Sequence, residues 1–496
     1  MKRPDSLPAF DGHKKRVQKA WSDRSPFDRL YGDAYDYALP QRRPSDSGRT
    51  PDTAADLIFD MTATMSSMYF AGSLSRDLFS QDPFTLQTGK VARLSLDAGQ
   101  VKVLDRELAG VADRITPFFQ SGDWDNAKHE ACIDLGVGTA AILPVKGPRN
   151  NPVLFAALPF DQIAIECDMF GRPQLVSWKQ TMTRDMLRDG FPNGDHAETD
   201  AGGAGAADSE ITVYQDWFRV KSGGWLFVVW TERSVGFVEH DWTRTQPIAV
   251  PRYYRVPGEA YGRGPILLAL PSIKTLNKAQ ELTLRAAAIQ MLGIWAYRAG
   301  GTFNPDTVAL GPGQFWPMQS TGGILGPDVQ RLDPATGRLD VASLVTENLQ
   351  GQIKGVLFDN RIDDKGGTPA SASEIVARMR QQADVHIGAF GRLVREIMPV
   401  IVPRVSEILF EHGYLGPPMT IDEYLVAMEV QSPMQAALNA SKLTAVANYL
   451  EFAASIAGPE RLKFYAHLDR IMELVRKGLQ VPLEAVPTDA ERRQYE

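Results

Sequence analysis

The chain has 496 residues, 44% hydrophobic and 23% charged, with a formal net charge of −7; that length buries a large core and divides into several structural units. The acidic balance argues against a surface that grips nucleic acid as a whole, and no apolar run nears the ~18 residues of a membrane span. Cys132 and Cys167 are too few for a disulfide framework or a cysteine-built zinc site.

The start has basic residues but no apolar stretch of signal-peptide length, so a reducing cytoplasm is the expected place of synthesis. The first 49 residues carry 11 Lys/Arg against 7 Asp with the signs mixed, the pattern of a solvated arm. Within that arm "DGHKKRVQKAWSDR" predicts a short helix with Val17, Ala20 and Trp21 on one side. Helical spacing returns over residues 53–79 through Leu57, Ile58, Met61, Met65, Met68 and Phe70, and again over 94–119. "NAKHEACIDLG" predicts a third helix. After Gly138 come short runs bounded by Pro, Gly, Asn or Asp, from "TAAILPV" to "VGFVEHDW", which predict strands. Residues 189–210, polar and rich in Gly and Ala, interrupt them as a mobile surface loop.

A long helix is expected over 272–292, with Pro271 in its first turn, where a missing N–H loses no partner. Residues 293–340 are dense in Gly and Pro, and helical spacing resumes over 341–358 through Leu344, Val345, Leu349, Ile353, Val356 and Leu357. "DNRIDDKGGTPA" reads as a charged loop. "SASE" (371–374) then reads as a capping box opening a helix to about residue 412, kinked or broken at Pro399 and Pro403. A last helical region covers 435–478.

Enzyme signatures are poorly represented. There is no phosphate-cradling G-x-x-x-x-G-K-[ST], no H-E-x-x-H, and the seven histidines are scattered. "LGVGTAAI" matches G-x-G-x-x-A, but a helical pattern precedes it and a strand follows, the reverse of a dinucleotide site. It reads instead as a helix C-terminus turning into a strand. Asp359, Asp363 and Asp364 could be arranged as oxygen ligands for a hard cation, but their spacing fits no known loop, and Arg361 and Lys365 dilute their charge. A solvated loop is the expectation there, a metal-dependent nuclease the alternative; no cofactor or metal is assigned.

Two helices flanking a Gly/Pro-rich β-like segment outline a stalk with a small tip, and pattern alone leaves equally open one large α+β domain with ordinary core helices. The stretch "VPRYYRVPGEAYGRGPILLALPSIKTLNK" resembles a segment of the portal (head-to-tail connector) proteins of short-tailed bacteriophages. The likeness rests on Arg252, Pro257, Gly258, Glu259, Tyr261, Gly262, Arg263, Gly264 and Pro265, followed by a helix start over 269–274. "GVGTAAILPV", "SASEIVARMRQQ" and "SPMQAALNASKLTAVANYLEFAASIA" are similar in order to further family segments.

The resemblance implies an α+β portal fold: arm 1–52, wing 53–264, first stem helix region 265–292, clip 293–340, second stem helix 341–358, channel loop 359–370, long wing helix and following segment 371–434, and helical crown with tail 435–496. It implies a non-enzymatic ring of about twelve copies at a capsid vertex of the virion, assembled in the host cytoplasm. Its partners would be double-stranded DNA, a terminase motor, a tail adaptor, and capsid and scaffold proteins, with no membrane. Lys274, Lys278, Arg361, Asp363, Asp364 and Lys365 become expected channel residues. Tyr297, Phe303, Phe315 and Trp316 become expected clip anchors. Each lysine has a plainer reading as an ion-pair residue, and each aromatic as small-domain core.

Overall fold

The basic N-terminal segment is a core helix, not a solvated arm. In the computed structural model, which describes residues 7–42, 58–79, 83–196, 210–292, 294–297, 329–332, 339–359, 372–416, 425–430, 433–457, 471–472 and 475–476, α1 spans Phe10–Ala38. Its cations have specific partners. Arg16 pairs with Glu166 at 2.7 Å, and His13 Nε2 lies 2.8 Å from Asp216. Buried Arg24 donates to the carbonyls of Asp161 and Ile163 at 2.9 and 3.0 Å and stacks over Phe160. The helix continues past the expected segment because Tyr31, Ala34, Tyr35 and Ala38 extend the buried stripe begun by Val17 and Ala20.

In α2 (Thr62–Leu78) the core face is Ala63, Ser66, Ser67, Phe70, Ala71, Leu74 and Leu78. Met61, Met65 and Met68, which carried the apolar spacing in the sequence, are exposed. β1 (Phe84–Thr88) pairs antiparallel with β11 (Val426–Val430), a long-range pairing with no local signal. The helix expected over 94–119 is two: α3 (Lys90–Ser95) and α4 (Ala98–Ser121). The break is a capping box in which the Asp97 carboxylate and the Gln100 amide each satisfy the other's backbone N–H. α5 spans Trp124–Val137.

β2 (Ile142–Lys146) and β3 (Val153–Ala157) form an antiparallel pair. β4 (Ile163–Cys167), β5 (Pro173–Thr183), β6 (Glu210–Arg219), β7 (Trp225–Thr231) and β8 (Glu239–Thr243) make an antiparallel meander in that order. The short α6 (Arg184–Gly190) takes up the start of the expected loop, and residues 197–209 lie outside the described residues. Tyr214 stacks on Trp230 at 4.2 Å under α1, whose first turns cover this sheet.

α7 runs over Pro265–Leu292 and begins six residues before the expected proline. Pro265 supplies the favourable first position, and Ile266, Ala269 and Leu270 already bury a helical face. Pro271 lies inside the helix, with its ring on the exposed side. β9 (Ile294–Tyr297) pairs with β10 (Val329–Leu332), and α8 (Leu339–Val356) returns along α7. α9 (Ala372–Glu411) is continuous through Pro399 and Pro403, so the break that was one expectation there does not occur. Ile397, Met398, Ile401, Val402, Val405, Ile408 and Leu409 are all buried along that stretch, and this burial outweighs the lost hydrogen bonds. Ser371, the expected cap, lies outside the described residues. α10 spans Pro433–Ala457. The described architecture mixes helices with small antiparallel sheets, an α+β fold.

If α1 is core, Arg24→Ala removes two hydrogen bonds to buried carbonyls and is expected to cost about 2–4 kcal/mol in urea unfolding. A solvated arm would lose less than about 0.5 kcal/mol.

Candidate functional site

Arg252 to Pro265 folds as a loop whose two ends meet. Tyr254 and Arg263 exchange backbone hydrogen bonds at 3.0 and 2.8 Å, and Gly258 stands at the tip with φ +86°. Pro257 and Gly258 are exposed, and Arg263 pairs with Glu259 at 2.8 Å on the outer side. The inner side is buried. Arg252 is 2% exposed, and its guanidinium donates to the Gly171 carbonyl at 2.6 Å. Its backbone N–H donates to Glu396 of α9 at 2.9 Å, and the guanidinium lies 3.8 Å from the same carboxylate. Arg392, one turn earlier on α9, donates to the Tyr253 carbonyl. The Tyr261 hydroxyl accepts the Ile165 N–H at 3.1 Å, and burial pushes its pKa well above the usual tyrosine range.

The glycines face a second glycine pair. The Gly264 N–H donates to the Val137 carbonyl at 2.7 Å, and the Tyr253 N–H to that of Gly138 at 2.9 Å. A Cβ on Gly264 would lie 2.1 Å from the Gly136 oxygen, and one on Gly262 2.6 Å from the Gly138 oxygen. Gly136 and Gly138 are thus the end of α5 turning into β2, as the order of patterns implied; Gly138 is bare because the Gly262 backbone lies on it, while a Cβ on Gly136 would meet the Ile266 side chain at 2.9 Å. Over this contact the Gly262 N–H donates to the Thr139 hydroxyl at 2.8 Å and the Tyr31 hydroxyl donates to the Gly262 carbonyl. Tyr31 spends its one proton there, so the Thr139 hydroxyl, 3.1 Å away, donates to Tyr31 and closes the ring of bonds. Tyr31, Thr139 and Glu396 come from distant segments; Thr139 lies in the stretch that matched family segments, while nothing in the neighbouring sequence marks Tyr31 or Glu396.

The expected channel residues divide. Lys274 on α7 pairs with Asp33 of α1 at 2.6 Å. Lys278 lies 2.9 Å from Glu281, which also takes Arg285 at 2.5 Å. Hydrogen bonding from Lys278, with the Arg285 charge, holds the Glu281 carboxyl below its usual range. Arg361, Asp363, Asp364 and Lys365 lie outside the described residues, as do Phe303, Phe315 and Trp316. Tyr297 ends β9 opposite Val329. Asp359, expected on a solvated loop, is buried and accepts the Ser66 hydroxyl at 2.7 Å, so the nuclease alternative gains no support from it. No cluster of three or more His, Cys, Asp or Glu placed to hold a metal occurs among the described residues.

The two kinds of motif glycine respond differently to one methyl group. Gly264→Ala forces backbone apart and is expected to cost about 3 kcal/mol or more in thermal or urea unfolding. Gly258→Ala meets nothing within 4 Å and carries only the left-handed backbone term, about 1–2 kcal/mol.

The sequence profile of the family described as "Bacteriophage head to tail connecting protein" matches residues 11–486. The portal protein of Escherichia phage T7 is 22% identical over 408 residues, covering 79% of this chain and 73% of its own length. Among solved structures, a chain of the virion of a native gene transfer agent particle aligns with 84% of this chain and 89% of its own, at 14% identity and a TM-score of 0.31. The profile takes in α1, the motif loop and both helices rooted beside it, and this chain belongs to the bacteriophage head-to-tail connecting proteins.

Proposed function

We propose that the chain is the subunit of a closed portal ring at one capsid vertex, the conduit through which DNA enters, is retained and leaves. Members of the family are structural connectors, so the work of hydrolysing nucleotide falls to a separate motor. The observation that supports the reading most is the state of the α7–α8 pair. Its base is held in the core through Ile266, Ala269, Ile273 and Leu276 on one helix and Ile353 and Leu357 on the other. Away from the base, Leu282, Leu284, Leu344 and Val345 are exposed. Two helices with apolar residues on the outside need neighbours, and identical neighbours around an axis supply them to every copy alike.

On this reading residues 53–264 with the long helix α9 form the wing, α7 and α8 the stem around the channel, 293–340 the clip where motor and tail adaptor dock, 359–370 the channel loop, and 435–496 the crown. Tyr297, Phe303, Phe315 and Trp316 are the proposed clip anchors. Lys274, Lys278, Arg361, Asp363, Asp364 and Lys365 are the proposed channel residues. The pairing of Lys274 and Lys278 with carboxylates fits a conduit. A lining that neutralised many phosphates would release counterions, bind tightly and resist sliding.

Native mass spectrometry of the purified protein, alone and with scaffold, is expected to give about twelve times 54.7 kDa, with a central hole in negative-stain images. A chain monomeric under both conditions overturns the ring. Neutralising Lys274, Lys278 and Lys365 together is expected to lower the DNA retained per head, and unchanged packaging and retention removes these lysines from the channel.

A further inference from the structure

Two helices that lie against each other, α2 and α10, each carry a second apolar edge turned away from the core. On α10 the half-buried positions are Leu443, Val446, Leu450, Ala453 and Ala454, and Thr444, Asn448, Glu451 and Ser455 form a polar edge. The remaining edge is Ala445, Tyr449, Phe452 and Ile456, with Phe452 66% and Ile456 72% exposed. Its 4-3-4 spacing is that of a coiled-coil seam. On α2 the outward edge is Met61, Met65 and Met68, Met65 being 53% exposed, followed by Gly72, where a Cβ would meet nothing within 4 Å. That edge has the same 4-3-4 spacing. The larger side chains of the α10 edge face out from a helix that has no fully buried residue over 443–456.

The area decides what such edges are for. The six large residues, 37% to 72% exposed, together leave roughly 700 Å² of mostly apolar surface in water, divided between the two edges. A standard interface of about 1,600 Å², a little over half of it non-polar, holds about 900 Å² of apolar area. The two edges supply most of that. They sit on different helices of one chain, so pairing α10 with α10 of another copy would leave every methionine edge in water. Placing the edge of α10 on the α2 edge of the next copy covers both, and a head-to-tail contact of this kind repeats from copy to copy and makes a ring when the rotation closes. Methionine suits the receiving side, because its unbranched thioether chain moulds to aromatic knobs and its sulfur attracts ring edges.

We propose that the Tyr449–Phe452–Ile456 edge of α10 seats on the Met61–Met65–Met68 edge of α2 in the neighbouring copy. This rests on the ring reading and names a surface that holds the ring together outside the stem.

The test uses the full chain carrying Met65→Cys with Phe452→Cys, or Met65→Cys with Tyr449→Cys to allow for register, treated with a short bismaleimide at neutral pH. The native thiols are a quiet background: burial pushes Cys132 up to about 12 and raises Cys167 as well. The double variants are expected to give a ladder of covalent oligomers, each single variant alone none, and a mixture of single variants dimers and nothing larger. Single variants that dimerise with themselves, or links confined to one chain, overturn the seam. Wild-type rings of full native mass whose double variants do not link overturn the seam and leave the ring standing, whereas a monomeric wild type removes both. Phe452→Ser with Ile456→Ser is expected to lower the assembled fraction at least tenfold with unchanged circular dichroism, and unchanged assembly overturns the proposal.

Discussion

One close contact of bare backbone organises the molecule. Gly136 and Gly138 at the end of α5 lie on Gly262 and Gly264 at the start of α7, with no side chain between them. The chain can come this near because Gly138, Gly262 and Gly264 carry no Cβ to stand against the facing backbone, and the hydrogen bonds made across the contact recover the polar groups it buries. The position of α7 follows from it. Pro265 comes directly after Gly264, so the helix starts where the contact ends and its first turns are held against α5 and α1.

Carboxylates do the joining elsewhere. Glu396 takes the Arg252 N–H, while Glu407 takes the backbone N–H groups of Arg244 and Thr245 and the Thr245 hydroxyl. Asp134 accepts from Tyr35 and Arg42, and Asp216 from Trp230 beside His13. Burial raises the pKa of Asp134, while Arg42 and the Tyr35 hydroxyl work to keep it charged. A buried carboxylate is costly alone and becomes tolerable when donors or a positive charge face it. Each therefore fixes one mutual arrangement of segments far apart in the chain. α1 is the clearest case, bound at one end to the meander and at the other to the base of α7 through Tyr31 and Asp33.

The base of the α7–α8 pair is held by side chains from both of its helices. Asn277 and Gln350 tie both helices to Phe59 and Asp60 ahead of α2. Further from the core, both helices expose leucines.

Much of this was legible in the sequence. The strands after Gly138 appear where short apolar runs were bounded by turn residues, and α5, α8 and the extent of α9 follow their spacing. The Gly136 motif was correctly separated from a nucleotide site by the order of its neighbours. What failed has more than one cause. Periodicity says that a helix has an apolar edge but not which edge meets the core, so the methionines of α2 pointed the wrong way and α1 passed for an arm. Pro271 misled because a proline tolerable in a first turn is also tolerable inside a helix whose neighbours bury it. The pairing of β1 with β11, and the meeting of Tyr31, Thr139 and Gly262, join segments whose local sequences carry no record of each other. The sequence by itself determined the elements and the motif, because those depend on near neighbours. Only the tertiary structure decided why the motif needs its glycines, since that reason is a second backbone more than a hundred residues away.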